Sequence, residues 1–288
     1  MNTRWLLNLV LLGIVAVLVL LVAYEPGKQE PAVTTLTELE RGSIDSISIE
    51  NKTGGRIRLQ KQGDTWTMQE PYALPANRLR VDGLLPLADT RSYSQFKVAA
   101  TELEKYGLQK PKGSIRLNDI DINFGDTDSV YKRRYVRIGD TVHLIADTFY
   151  HQLITDANSF ASTELLPPGS KLRSIDLGDL RLDKQDDGSW QVQPEQTASA
   201  DQINRLVQAW QQAAGVYVKN AAATAAIRDI KLTLVDDTTV EYQVLQGDDF
   251  ILRRKDPPLQ YHMVEAQRQQ LLELMPAPAA TGVDKSPE

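Results

Sequence analysis

Apolar side chains recur along this chain with three different spacings. From Trp5 to Ala23 they are nearly continuous, with Asn8 the one strongly polar side chain among 19 residues. A helix rises about 1.5 Å per residue, so this run covers most of a hydrocarbon core about 30 Å thick. Past Ile44 the spacing becomes two. Ser46–Glu50, Arg56–Gln60 and Thr65–Gln69 alternate apolar with polar and are separated by Gly54-Gly55 and Gly63-Asp64, which predicts a meander. Ile115–Leu117 and Ile120–Phe124 flank Asn118-Asp119, and Lys231–Val235 and Val240–Leu245 flank Asp236-Asp237-Thr238; both predict hairpins. A third spacing, i, i+3, i+4, i+7, links Ile203, Leu206, Val207 and Trp210 into a helix face, capped by Ser199 or Asp201. Val81, Leu84, Leu85 and Ala88 form a similar face, but Gly83 and Pro86 predict a shorter or kinked helix. Val264, Leu271, Leu272 and Met275 predict a closing helix.

The chain also resembles itself. Arg58-Leu59-Gln60-Lys61-Gln62-Gly63-Asp64-Thr65-Trp66 is similar to Arg181-Leu182-Asp183-Lys184-Gln185-Asp186-Asp187-Gly188-Ser189-Trp190, with one extra residue in the second turn. Alternating apolar residues precede each copy, a Pro follows each Trp strand, and a helix and then Tyr93 or Tyr217 come next. Such self-similarity predicts two structural units. The expected fold class is α+β: an N-terminal transmembrane helix, then two tandem, mostly antiparallel β-sheet modules with short helices. The expected boundaries are an anchor at 1–24, a linker at 25–42, a first module at 43–160, a connector at 161–171, a second, divergent module at 172–275 and a disordered tail at 276–288.

Of the 288 residues, 42% are hydrophobic and 24% charged, the balance of a globular chain. The net charge of −6 argues against nucleic acid as a partner. There are no cysteines, which excludes disulfides, thiolate metal sites and cysteine nucleophiles. The exit from the apolar run, Leu21-Val22-Ala23-Tyr24, is a poor cleavage site, so the run is expected to stay as a single-pass anchor. Trp5 and Tyr24 sit at its ends as interfacial aromatics do. With four residues ahead of the helix, the expected orientation leaves the N-terminus in the cytoplasm and the rest of the chain outside.

Several residues of the first module carry a family resemblance. Trp66, an apolar helix, Tyr106-Gly107-Leu108 with Pro111, a hairpin into Phe124-Gly125, and paired strands around Tyr135-Val136 and Val142–Ile145 follow in the order of the bacterial domain of unknown function 4340 family. The second module has Asn220-Ala221-Ala222-Ala223 where Tyr-Gly-Leu is expected, so it resembles a divergent copy. The resemblance implies a membrane-anchored, extracytoplasmic protein of the inner membrane. It also implies an auxiliary role beside ABC-type transport systems of the gliding-motility type. It supplies no catalytic residues.

No nucleophile, metal-protease, phosphate-loop or dinucleotide motif is present. His143, His151 and His262 lack metal-ligand spacing, and exposed positions are expected for them. The acidic pairs, such as Asp186/Asp187 and Asp236/Asp237, read as turn residues. The expectation is therefore no enzyme, no cofactor and no metal site. Basic strands stand out in both halves: Lys132, Arg133 and Arg134 in one, Arg253, Arg254 and Lys255 in the other. Alternation would put Lys132 and Arg134 on one strand face, and Arg253 and Lys255 on another, forming a surface for anionic lipid or an acidic partner. The alternative is a solvated edge protected by charge. Two functions follow: an accessory protein that contacts a transporter or another envelope protein, or an extracytoplasmic module that binds a lipid or cell-wall fragment between its two repeats.

Overall fold

A computed structural model describes residues 3–23, 34–51, 55–195 and 198–275. The expected tail and most of the linker ahead of Thr34 lie outside the described residues. The helix α1 (Thr3–Ala23) precedes β1 (Thr34–Thr35). The first half continues with β2 (Ser46–Asn51), β3 (Gly55–Gln62), β4 (Thr65–Glu70), β5 (Leu74–Pro75), α2 (Arg78–Leu84), β6 (Arg91–Ser92), β7 (Ser94–Lys97), β8 (Gly113–Leu117), β9 (Ile120–Thr127), β10 (Arg133–Ile138), β11 (Thr141–Ala146) and α3 (Tyr150–Leu153). The second half holds β12 (Leu172–Asp176), β13 (Arg181–Lys184), β14 (Trp190–Gln193), α4 (Ala200–Gln212), β15 (Tyr217–Asn220), β16 (Ala226–Leu234), β17 (Thr239–Leu245), β18 (Ile251–Arg254), β19 (Leu259–His262) and α5 (Gln267–Leu272).

The sheets are antiparallel and the helices after α1 are short, so the α+β class holds. The nine-stranded sheet runs β5-β4-β3-β2-β8-β9-β10-β11-β7, and the eight-stranded sheet runs β14-β13-β12-β16-β17-β18-β19-β15. Both follow one path. A three-stranded meander leads into a helix, a four-stranded meander pairs with its first strand, and the strand after the helix returns to the far edge. Residues one apart point to opposite faces, which is why Ile47, Ile49, Ile57, Leu59 and Met68 are all fully buried while their neighbours are not.

Each half covers its sheet with the helix its spacing predicts. In α4, Ser199 and Gln202 close a reciprocal capping box, and Ile203, Leu206, Val207 and Trp210 are buried. Burial of each such side chain contributes roughly 1.5–3 kcal/mol. Trp210 Nε1 donates to Leu271 O of α5 at 2.9 Å, so the two helices of that half lock together. In the first half, α2 stops at Leu84 and passes into a 3-10 turn over Leu85–Leu87, the interruption that Pro86 dictates. The closing helix is shorter than its spacing predicts. Val264 lies outside α5 and is 51% exposed, because α5 begins only at Gln267.

The halves share one hydrophobic core. The segment around Thr163–Leu165 runs beside Ala213–Gly215, with Leu165 N donating to Ala213 O at 2.9 Å and Gly215 N to Thr163 O at 2.8 Å. Leu165 and Leu166 are buried, and the buried Tyr242 hydroxyl donates to Leu165 O. Among the residues whose side chains are described, no helix is long and apolar enough to cross a membrane; within α1 these are Trp5 and residues 10–19.

Candidate functional site

The four basic residues expected to form one surface lie in different settings. Lys132 precedes β10 in a turn with φ of 55° and is exposed, so strand alternation does not govern it. Arg134 is buried. Its guanidinium donates to Asp147 Oδ1 and Oδ2 at 2.6 and 2.8 Å and to Gly125 O at 2.6 Å, and it lies 3.9 Å over the Tyr150 ring. That arrangement ties β9, the end of β11 and α3 together, and Arg134 holds the Asp147 carboxyl below the usual carboxylate range. Arg253 donates to Gln243 Oε1 at 2.7 Å and to Thr224 O at 2.9 Å, which fastens the loop before β16. Lys255 pairs with Asp229 at 3.0 Å and Glu241 at 3.1 Å. The expectation of a shared basic face is therefore corrected: Arg134 is an interior ion pair, the donors of Arg253 and Lys255 are engaged locally, and of the four Lys132 alone has no polar partner among the described residues.

A different set of side chains does converge. Arg133 lies with its guanidinium carbon 3.6 Å from the Tyr93 ring centre and 5.0 Å from that of Tyr131, and Arg91 lies 5.0 Å from Tyr93. Guanidinium groups at these distances are attracted by the ring faces. Val130 and Tyr131, on the β9–β10 turn, are 72% and 70% exposed. Asp128 Oδ2 accepts from Tyr131 N at 2.6 Å and folds the tip of the turn. Tyr93 comes from the other end of the half, placed there by Tyr93 N donating to Leu144 O at 2.9 Å. The string Val130-Tyr131-Lys132-Arg133 carried a local signal of two basic residues beside an aromatic one, but only the fold adds Tyr93 and Arg91.

The titratable candidates have structural partners. His143, expected on an exposed strand, is buried, and its Nδ1 lies 3.1 Å from Ser92 Oγ. Ser92 Oγ also donates to Ser94 O at 3.1 Å, so the pair is held within the β6–β7 turn. Burial holds the His143 pKa below the usual imidazole value. Turn use of aspartate is plain: Asp187 accepts from Ser189 N, Asp236 from Thr238 N and Asp176 from Gly178 N. A groove of about 1050 Å³ runs beside Trp66, lined by Lys61, Asn77, Arg78 and Glu164, and its lining ends at Pro168. Among the described residues, none of the second sheet lines it. Trp66 itself is in the core, and Trp190 packs half-buried against the core.

The Tyr106-Gly107-Leu108 segment has a geometric explanation. Gly107 adopts φ of 67° and ends a 3-10 turn that begins at Ala100. It packs so closely on β9 that a Cβ there would meet the Asp126 carboxyl at 2.6 Å. From the other side, a Cβ on Gly125 would lie 2.2 Å from Tyr106 O and 2.8 Å from the Leu108 side chain. Tyr106 packs between Phe96 and Tyr135, at 5.4 and 4.9 Å between ring centres, and Leu103, Leu108 and Val142 make a small core of their own.

No curated protein and no solved structure matches the chain. A family model described as a domain of unknown function (DUF4340) matches residues 66–246. The match runs as one segment from Trp66 on β4 to the residue after β17, crossing both sheets and including the Tyr106–Gly125 contact. It covers 181 of the 288 residues, and the chain belongs to the DUF4340 family.

Proposed function

We propose that this protein is a single-pass, membrane-anchored accessory protein of the bacterial envelope. Its two sheets stand on the extracytoplasmic side of the inner membrane, where they contact a transporter, of ABC type, or another envelope protein. The observation that carries this reading is α1: its 21 residues form one helix, and 19 of them are the apolar run. At about 1.5 Å per residue it measures roughly 30 Å, the thickness of a hydrocarbon core. The anchor keeps the sheets close to any membrane partner and so raises their effective concentration there. The common path of the two sheets supports a second part of the reading, that they are repeats of one unit.

A non-enzymatic role is supported by the settings of polar groups: Ser92 and His143 are both buried, Asp147 is paired with the buried Arg134, and Asp176, Asp187 and Asp236 serve turns. The alternative, a ligand held between the repeats, would need a cleft lined from both halves. The groove beside Trp66 is lined from the first half and the connector among the described residues, so it is not such a cleft. Alkaline phosphatase fused after Pro278 should be active, and the mature protein should keep Met1 or Asn2 at its start. An inactive fusion would sink the orientation. A mature N-terminus near Tyr24 would sink the anchor.

A further inference from the structure

We propose that the patch formed by Arg91, Tyr93, Val130, Tyr131, Lys132 and Arg133 rests on the anionic headgroup surface of the bilayer that holds α1. The inference builds on the anchored reading and goes past it to a surface and an orientation. Its first support is where the chain arrives. β1 pairs antiparallel with β6 in the register Thr34↔Ser92 and Thr35↔Arg91. Leu36 N to Thr90 O at 2.8 Å, and Thr37 N and Oγ1 to Ala88 O at 3.0 and 2.7 Å, continue the attachment. The antiparallel register puts the N-terminal end of β1 on the Tyr93 side of β6. Ten residues, 24–33, separate α1 from β1. A chain that long reaches at most about 35–40 Å. The tether is thus fastened to β6, which forms a separate two-stranded sheet with β1, right beside Arg91 and Tyr93 of the patch.

The second support is chemistry. Val130 and Tyr131 are exposed apolar and amphipathic side chains on a projecting turn. Tyrosine at a membrane surface keeps its ring at headgroup level. Basic residues around apolar ones are the pattern of surfaces that lie on anionic lipid. Among the described residues, Arg91, Lys132 and Arg133 make no ion pair, in contrast to Arg134 and Lys255. The nearby acids are mostly satisfied. Asp89 is held by Arg41 at 2.8–2.9 Å and Asp147 by Arg134, which leaves Asp128 against three cations. Two of those cations lie on tyrosine rings, so they are already oriented before any headgroup arrives.

The absence of cysteine makes the test direct. Full-length protein carrying Val130→Cys, or Asp186→Cys on the β13–β14 turn as the reference position, is labelled with an environment-sensitive fluorophore. It is then reconstituted in vesicles of phosphatidylcholine alone or mixed with phosphatidylglycerol, with shallow nitroxide lipids as quenchers. Position 130 should be quenched and position 186 should not, and the quenching should need the anionic lipid and weaken with salt. A basic residue at an anionic surface is worth about a factor of five, so Arg91→Glu, Lys132→Glu, Arg133→Glu together should reduce the seated fraction at least tenfold. Because Arg133 packs on Tyr93, a second variant, Tyr131→Glu labelled at the same cysteine, changes only an exposed side chain and should also release the patch. Protein that resists alkaline extraction yet shows equal quenching at both positions overturns the proposal and leaves the anchor standing. Protein removed by alkali refutes the anchor itself. Protection of position 130 only in native membranes, and not in lipid alone, would assign the patch to a protein partner and overturn the lipid assignment.

Discussion

Arg134 shows what alternation along a strand can and cannot say. The spacing correctly separates its direction from that of Arg133, but nothing in the local sequence tells which face Asp147 and Tyr150 cover. Those partners arrive from beyond β11, thirteen and sixteen residues on, so the buried ion pair was illegible. Removing one member of such a pair strands the other charge, at a cost of about 3–5 kcal/mol. Arg134→Ala should therefore lower the melting temperature sharply, while Lys132→Ala, at an exposed turn, should leave it unchanged; equal effects would contradict the burial. His143 makes a second residue-scale prediction. Unfolded, it titrates near the ordinary value of 6.5, and folded it titrates lower because burial disfavours the cation. His262 is lowered by the same cause. Below 6.5 the unfolded chain therefore binds more protons, and stability is lost as pH falls through the folded values. Melting temperatures should drop between pH 7 and pH 5, and His143→Gln should flatten part of that drop. A pH-independent melting temperature in the parent would show that neither histidine is held neutral.

At the scale of elements, the readable features are local ones. The β8–β9 hairpin turns at Asn118, whose φ is 51°, and the β16–β17 hairpin at Asp237, whose φ is 64°, as residues that tolerate the left-handed region permit. The broken helix at Pro86 and a cap at Ser199 or Asp201 were legible for the same reason, since each depends on neighbours within four residues, and the fold selects Ser199. The Tyr106-Gly107-Leu108 segment was recognisable as a signature, but its purpose was not, because it docks on a strand nearly twenty residues later. The fold explains it as a close approach between a turn and β9, in which Gly125 must have no side chain. Gly125→Ala should push the turn away and cost about 1–3 kcal/mol, the range for overpacking. Gly139→Ala is a control, since its ideal Cβ meets nothing within 4 Å, although φ of 57° adds some strain. If Gly125→Ala melts no lower than Gly139→Ala, the docking does not matter to stability. Arg134 donates to Gly125 O, so the Gly125 and Arg134 variants should not be additive.

At the scale of the whole molecule, the internal repeat suggested two modules that each answer for their own stability, so that Trp66→Ala and Trp190→Ala would melt separate units. The packing argues otherwise. Trp66 is buried in, and Trp190 packs against, a single hydrophobic cluster that runs through both halves. The Thr163–Leu165 segment is hydrogen-bonded to Ala213–Gly215, and Asn158 Nδ2 donates to Val218 O at 3.1 Å. A connector that contributes Leu165 and Leu166 to the core cannot stay ordered when either sheet unfolds, because each sheet supplies part of its cover. Unfolding should then be cooperative across both sheets, with one calorimetric transition whose calorimetric and van't Hoff enthalpies agree. Tyr242→Phe tests the joint. The phenol is buried and donates to Leu165 O, and its loss leaves that buried carbonyl without this donor, at a cost of about 1–3 kcal/mol. The variant should shift the single transition downward as a whole. Two transitions in the parent, or a Tyr242→Phe profile in which only the second sheet melts early, would show that the sheets are independent bodies and that the connector is merely a link.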